Sequence, residues 1–190
     1  MNEVSRDDDL DDDLDDDLDD DLDDEAYQIK EVFAHFGRAS YQGQVLERGL
    51  ANVLTAARTY SEAGTQDDFD QFMTEHLAAT MGRLIGLLRP HLAGDQALLA
   101  DLAQVLSTRN RLAHRFFREH ELNFASFTGR EQMLVEVMQA ADEFEQMDQR
   151  LRPVISRFLR ARGLSDQVQN RMIEDELARL QRLARERDDE

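Results

Sequence analysis

The chain of 190 residues contains no cysteine and no tryptophan, only two prolines, and one lysine, Lys30. Without cysteine it can form no disulfide, no thiolate metal site and no cysteine nucleophile. No apolar run approaches the roughly 20 residues that cross a bilayer, and the acidic N-terminus does not resemble the basic start of a secretory signal. With 41% hydrophobic and 33% charged residues, the composition predicts a soluble, mostly helical protein, and the cytoplasm is its expected location.

Negative charge is concentrated at the N-terminus. Residues 1–25 hold 16 acidic residues and one arginine, a net charge of −15, whereas residues 26–190 hold 25 acidic and 21 basic residues, a net charge of −4. Asp7 to Asp24 is a repeat of Asp-Asp-Asp-Leu. Because aspartate is a poor helix former and like charges repel, we expect residues 1–25 to form a disordered tail. Two roles for this tail stay open. It could increase solubility, or it could act as a polyanion that imitates nucleic acid or covers a basic site.

Helical periodicity follows the tail, and strand-like alternation is absent from the sequence. Apolar spacing predicts a first long helix that is kinked or interrupted near Gly37 and Gly43 and ends by Gly64. Its apolar residues include Ile29, Phe33, Phe36, Leu46, Leu50, Val53 and Ala57. A second helix is expected between a cap at Asp67 or Asp68 and Pro90, with inner residues that include Phe72, Leu77, Met81, Leu84, Ile85 and Leu88.

Three further helices are predicted from their capping residues. Asp95 is expected to cap the third, which runs through Phe117, and the pattern Thr128-Gly129-Arg130-Glu131 is expected to open the fourth as a capping box. The fourth carries Met133, Val137, Met138, Ala141 and Phe144 and should bend or split at Pro153; Ser165 caps the last. The predicted fold is an all-α, up-and-down bundle of about four to five helices. Its expected divisions are the tail (1–25), the bundle (26–163) and a C-terminal helix (164–190), which is an addition to the bundle.

The segment Arg109-Asn110-Arg111-Leu112-Ala113-His114 is expected to place a cation, an amide and an imidazole on the buried face of a helix, where side chains are normally apolar. Leu102, Val105, Arg109, Ala113 and Phe116 follow spacings of three and four, so Arg109 is expected in line with the buried stripe. Asn110, His114 and Phe117 form the adjacent row, and Arg111, Arg115 and Arg118 form a basic strip beside it. Buried polar groups are costly unless they find partners, so the pattern predicts a specific environment for them.

Arg109-Asn110-x-x-x-His114, on a late helix of a small helical protein, resembles the Arg-x4-6-His motif of the HEPN superfamily, which also favours a polar residue after the arginine. The segment Phe36-Gly37-x-Ala39-x-Tyr41-x-x-Gln44-x-Leu46-Glu47 is similar to the long first helix of some HEPN-like proteins. The resemblance covers roughly residues 26 to 160 and implies a HEPN-like fold. It also implies a homodimer in which the motif helices face each other, with no cofactor and no metal ion.

Two functions follow from this resemblance. One is a metal-independent endoribonuclease of toxin–antitoxin or phage-defence type, with a cognate antitoxin or regulatory protein as a further partner. The other is a non-catalytic module that dimerises or binds RNA or another partner. For the enzyme, His114 is the candidate general acid or base, because imidazole exchanges protons near neutral pH. Arg109 is the candidate for stabilising charge on the phosphate, and Asn110 for orienting the imidazole or the phosphate.

The remaining chemistry concerns the substrate. Arg111, Arg115 and Arg118 are expected to guide the RNA backbone, and the resemblance implies a product that ends in a 2′,3′-cyclic phosphate. An offset of five residues separates Arg109 and His114 by about 140° around a helix, so we expect Arg109 of one chain to meet His114 of the other.

Arg115 and His120 form a second match to the motif, but the first is favoured because Asn110 follows its arginine, whereas Phe116 follows Arg115. Two alternatives to this site stay open. Arg109 could instead pair with an acid such as Glu47 or Glu131, with Asn110 and His114 bonded to backbone groups where helices pack. The other alternative is an unrelated helical bundle. A catalytic zinc site is not expected, because no His-Glu-x-x-His pattern occurs.

Overall fold

The computed structural model describes residues 12–62, 66–161 and 163–188, and within them the chain forms helices and no strand. The predicted all-α helical class is confirmed for these residues. The described helices are α1 (Asp12–Glu62), α2 (Gln66–Leu77), α3 (Met81–Leu88), α4 (Gln96–His114), α5 (Phe116–Glu119), α6 (Glu121–Phe124), α7 (Phe127–Ala161) and α8 (Asp166–Asp188). Their number exceeds four to five because the predicted second helix is interrupted, and because two short helices follow α4.

The described residues divide into two compact units. Residues 12–42 and 108–143 belong to the first, called the motif unit because it contains Arg109 and His114. Residues 43–62, 66–107, 144–161 and 163–188 belong to the second unit. Helices α1, α4 and α7 contribute residues to both. The domain junctions expected after residues 25 and 163 do not coincide with this division and stay predictions.

Helix α1 begins within the acidic repeat. Residues 1–11 of the expected disordered tail lie outside the described residues, whereas residues 12–25 are helical and continuous with the rest of α1. Extending an existing helix is easier than nucleating a new one, and acidic residues are favourable near a helix N-terminus. Helix α1 also continues without interruption past Gly37 and Gly43.

Each unit has its own apolar core. In the motif unit the buried side chains come from four helices: Val32, Ala39, Leu112, Phe116, Met133, Val137, Ala140 and Ala141. In the second unit they include Leu46, Leu50, Leu54, Met81, Leu84, Leu88, Leu98, Leu102, Val105, Phe144, Met147 and Leu151. Spacings of three and four place these residues on one stripe of each helix. Phe33, Leu77 and Met138, which were expected on inner faces, are instead about half exposed.

Short polar side chains cap α3, α4 and α8. Oδ1 of Asp95 accepts a hydrogen bond from the Leu98 N–H at 3.0 Å, and Oγ of Ser165 accepts one from the Val168 N–H at 3.4 Å, so both predicted caps are confirmed. Thr80 caps α3, which explains the break in the predicted second helix. The first part of the predicted second helix is α2, which begins at Gln66, so both expected capping aspartates lie inside it.

Helix α7 starts one residue before the predicted capping box. It begins at Phe127, and Oγ of Ser126 accepts a hydrogen bond from the Gly129 N–H at 3.2 Å. The predicted cap at Thr128 is therefore wrong, because Thr128 already lies inside the helix. Helix α7 continues through Pro153 to Ala161 and is not split there. Gly163 follows with a φ of 85°, a left-handed conformation that glycine adopts at little cost.

Candidate functional site

The predicted motif lies in the last two turns of α4. Asn110 and His114 are exposed, and because they are four residues apart they lie on the same row of the helix. Arg109 is partly exposed. The buried stripe passes through Leu112 and continues to Phe116. The motif therefore lies beside the core, and the expectation that its polar side chains occupy the buried face is wrong for Asn110 and His114.

Arg109 contacts the neighbouring amide. Its Nη1 donates a long hydrogen bond of 3.4 Å to Oδ1 of Asn110. Successive residues on a helix differ by about 100°, so this contact turns the guanidinium toward the row that Asn110 shares with His114. A cation, an amide and an imidazole are thus all at least partly accessible at one end of α4.

Helix α4 ends at His114. Arg115 has φ −134° and ψ −19°, outside helical geometry, and α5 starts at the next residue. The backbone N–H of Arg115 still donates to the Arg111 carbonyl at 2.9 Å, so the final turn is closed. Phe116, the first residue of α5, is buried.

The arginine expected to lead the basic strip forms a different cluster. Arg111 donates through Nη1 and Nη2 to both oxygens of Glu136, and its Nε donates to Glu119 at 2.6 Å. His120 and Asn123 complete this group, which we call the Arg111 cluster. Two-point contact between guanidinium and carboxylate is strong and geometrically specific. The cluster joins α4, α5, α6 and α7 within the motif unit.

The two ion pairs of Arg111 shift its titration and that of one partner. Hydrogen bonds to Glu136 and then Glu119 raise the pKa of Arg111 above its usual value. The hydrogen bond from Arg111 lowers the pKa of the Glu119 carboxyl. Both shifts favour the charged forms of Arg111 and Glu119.

His120 is held through both ring nitrogens. Its Nε2 lies 3.0 Å from Oε2 of Glu136, and its Nδ1 lies 3.0 Å from Nδ2 of Asn123. Since a carboxylate only accepts, Nε2 carries the hydrogen, and Nδ1 accepts from the amide of Asn123. The side chain is only 11% exposed. The histidine of the second motif match is therefore buried and fully engaged, in contrast to His114.

The other two residues of the expected strip are more accessible. The Arg115 side chain is 49% exposed and its Nε lies 3.6 Å from Oε1 of Glu119. Arg118 is exposed on α5. Because Arg111 is compensated by two carboxylates, Arg115 and Arg118 are the better placed of the three for contact with an anion.

Sequence reasoning did not find the Arg111 cluster. Glu136 is 25 residues from Arg111 and lies on another helix, so no local spacing connects them. His120 was noticed only as a second motif match. The only sequence signal for the cluster is that His120 follows Arg111 by nine residues.

The exposure of two motif residues bears on the alternative that the motif only helps helices to pack. Asn110 and His114 are exposed, which does not fit side chains bonded to backbone at a helix packing surface. Glu131 is also exposed, and Oε1 of Glu47 accepts from the Met81 N–H at 3.3 Å. Pairing of Arg109 with either acid stays a prediction.

Metal-binding clusters and membrane spans are both absent from the described residues. No group of three or more histidine, aspartate or glutamate side chains in this part of the chain is arranged to hold a metal ion. None of the described helices combines the length and the apolar character of a membrane span.

Comparison with known proteins found no match among family models, curated proteins or solved structures. The resemblance to the HEPN superfamily therefore rests on the motif and its helical context alone.

Proposed function

We propose that this protein is a metal-independent endoribonuclease that acts as a homodimer, with His114 as general acid or base and Arg109 at the phosphate. The observation that carries the proposal is the difference between the two motif histidines. His114 is exposed next to Asn110, whereas His120 is buried and bonded at both nitrogens. Only the first match offers an imidazole that can exchange a proton with a substrate.

RNA supplies its own nucleophile, so the protein needs only proton transfer and charge stabilisation. The 2′-hydroxyl oxygen attacks phosphorus, the bond from phosphorus to the 5′-oxygen breaks, and a 2′,3′-cyclic phosphate forms. His114 removes the 2′-proton while water protonates the departing 5′-oxygen, or His114 protonates the 5′-oxygen while water accepts the 2′-proton. Arg109 stabilises the negative charge that develops on the phosphate oxygens.

Asn110 positions the guanidinium in this scheme. Its Oδ1 accepts from Arg109, and it lies one turn before His114, so the amide lies between the two side chains around the helix. Arg115 and Arg118 attract the RNA backbone, whereas Arg111 mainly supports the local fold through Glu119 and Glu136.

A second copy completes the site. Arg109 and His114 project about 140° apart from one helix, so one phosphate is reached more readily by His114 of one copy and Arg109 of another. The same proposal extends to a toxin-like role in the cytoplasm, with an antitoxin or regulatory protein that covers the exposed motif.

The test is cleavage of end-labelled single-stranded RNA in excess EDTA. We expect the wild type to produce 2′,3′-cyclic phosphate ends, and His114→Ala to lose activity by at least about 100-fold, the scale of general acid–base catalysis. His35→Ala is the matched control, since His35 is another partly accessible histidine in the motif unit. Intact RNA at high concentrations of the wild-type protein would contradict the enzyme and leave the non-catalytic binding module.

A further inference from the structure

Three phenylalanine rings form a partly exposed surface in the motif unit. Phe33 of α1, Phe117 of α5 and Phe124 of α6 make up this phenylalanine surface. The ring centroids of Phe33 lie 5.5 Å from Phe117 and 5.7 Å from Phe124, and those of Phe117 and Phe124 lie 6.2 Å apart. Phe33 is 52% exposed and Phe117 is 37% exposed. Contiguous exposed aromatic rings on a folded domain mark a binding surface.

Two further phenylalanine rings support Phe117. Phe117 packs 5.2 Å from buried Phe116 and 4.9 Å from Phe36, measured between ring centroids. Such support fixes the orientation of Phe117 before any ligand arrives, which reduces the entropy lost on binding.

Two cations and one acid border the phenylalanine surface; the acid is Glu121, exposed on α6 three residues before Phe124. Lys30 is exposed on α1 one turn before Phe33, so their Cβ atoms are about 5–6 Å apart. Arg118 is exposed directly after Phe117. Aromatic rings beside cations match the two features of a single-stranded nucleic acid, which are unpaired bases that stack and phosphates that carry charge.

We infer that the phenylalanine surface binds unpaired bases of single-stranded RNA, with Phe33 and Phe117 as stacking partners and Lys30 and Arg118 as phosphate contacts. This inference rests on the proposed function, because it takes RNA as the ligand. It adds a preference for single strands and a base-binding surface that starts three residues after His114. In a duplex the bases are already stacked on one another and are not available to these rings.

Binding is measured by fluorescence anisotropy with a labelled 2′-O-methyl RNA oligonucleotide. This probe has no free nucleophile, so the affinity can be determined whether or not the protein cleaves RNA. Phe33→Leu keeps an apolar side chain and removes the ring, and we expect it to weaken binding by about tenfold or more. Phe33→Tyr keeps the ring and should bind like the wild type. Tyr41→Leu removes another exposed aromatic ring from α1 and should have no effect.

Two further measurements separate this inference from its competitors. A blunt duplex of the same sequence should bind at least about tenfold more weakly than the single strand, and equal affinity would overturn the inference. Sedimentation should give the same mass for Phe33→Leu and the wild type. A lower mass with unchanged RNA affinity would assign the surface to a second copy of the chain. If the protein cleaves RNA but Phe33→Leu binds RNA like the wild type, only the phenylalanine surface is refuted. If Phe33→Leu weakens binding but the wild type does not cleave ordinary RNA, only the proposed enzyme is refuted.

Discussion

Nε2 of His120 lies 3.0 Å from Oε2 of Glu136, and this carboxylate also receives two hydrogen bonds from Arg111. One acid on α7 thus holds a cation from α4 and an imidazole that follows α5. The interruption between α4 and α5, which follows His114, lies between Arg111 and His120 in the sequence. Glu136 therefore fixes the backbone on both sides of the proposed catalytic histidine.

Loss of the Glu136 charge should therefore destabilise the protein. Glu136→Gln keeps the shape but leaves Arg111 with only Glu119 as an acidic partner, and since the group is partly exposed we expect a loss of about 1–2 kcal/mol in the free energy of unfolding. Urea denaturation measures the effect. Glu131→Gln, an exposed acid on the same helix, should change stability by less than about 0.5 kcal/mol. Equal effects in the two variants would show that the cluster contributes nothing specific.

Stability should fall below pH about 6.5 because of His76 in the second unit. This side chain is buried, its Nδ1 lies 2.9 Å from Oγ1 of Thr55, and its Nε2 lies 3.3 Å from Nη1 of Arg58. Burial, and then the positive charge of Arg58, lower the pKa of His76. The unfolded chain consequently takes up the proton first as the pH falls, and the contribution of His76 is complete above its unfolded pKa and lost below it.

Urea midpoints at about pH 7.5 and about pH 5 test this dependence. His76→Gln removes the titrating group and should lose less stability between the two pH values than the wild type. His35→Gln is the control, because His35 is about a quarter exposed and contacts Glu31. A pH dependence that is the same in the wild type and in His76→Gln would contradict the assignment.

Gly129 should tolerate no side chain. A Cβ at this position would collide with the backbone of Asn123, which cannot move away without displacing α6. Gly129→Ala should therefore cost more than about 2 kcal/mol, as overpacking against backbone does. Gly86→Ala is the matched control, since a Cβ on Gly86 meets nothing within 4 Å, and it should be neutral or stabilising by about 0.5–1 kcal/mol. Thermal unfolding of the two variants compares them directly, and similar melting temperatures would contradict the close approach.

The acidic repeat should weaken RNA binding through its charge. Residues 1–24 carry 15 acidic residues and Arg6, and they repel a polyanion within a screening length of about 10 Å at 0.1 M salt. A variant of equal length with asparagine in place of the repeat aspartates should bind 2′-O-methyl RNA more tightly at low salt, and the gain should shrink as salt is added. An affinity that does not change at low salt would show that the repeat does not act on this site.

Local sequence rules predicted the parts of the fold that depend on local physics. The caps at Asp95 and Ser165, the inner residues of α3, and Leu102 and Val105 of α4 follow from short spacing patterns, and the structure confirms them. The start of α7 shows the limit of such rules. Ser126 and Thr128 both stand where a short polar cap is plausible, and the choice depends on how the chain leaves α6.

The candidate site was predictable only in part. The identity of the motif and its position on α4 came from the sequence, but the exposure of Asn110 and His114 did not, because the stripe shifts from Arg109 toward Leu112. The Arg111 cluster depends on an acid from another helix, and the phenylalanine surface depends on three helices that meet. Contacts between residues so far apart in the sequence are set by tertiary packing, and no periodic sequence pattern predicts them.

Mixing of two inactive variants tests whether two copies of the chain share one catalytic site. Arg109→Ala and His114→Ala should each be inactive in RNA cleavage with excess EDTA. After the two variants are mixed in equal amounts and allowed to exchange subunits, half of the dimers contain one of each. Each mixed dimer then has one intact pair of Arg109 and His114, so we expect recovery of about a quarter of the wild-type activity. Active wild-type protein together with no recovery on mixing, despite confirmed subunit exchange, would contradict the shared site.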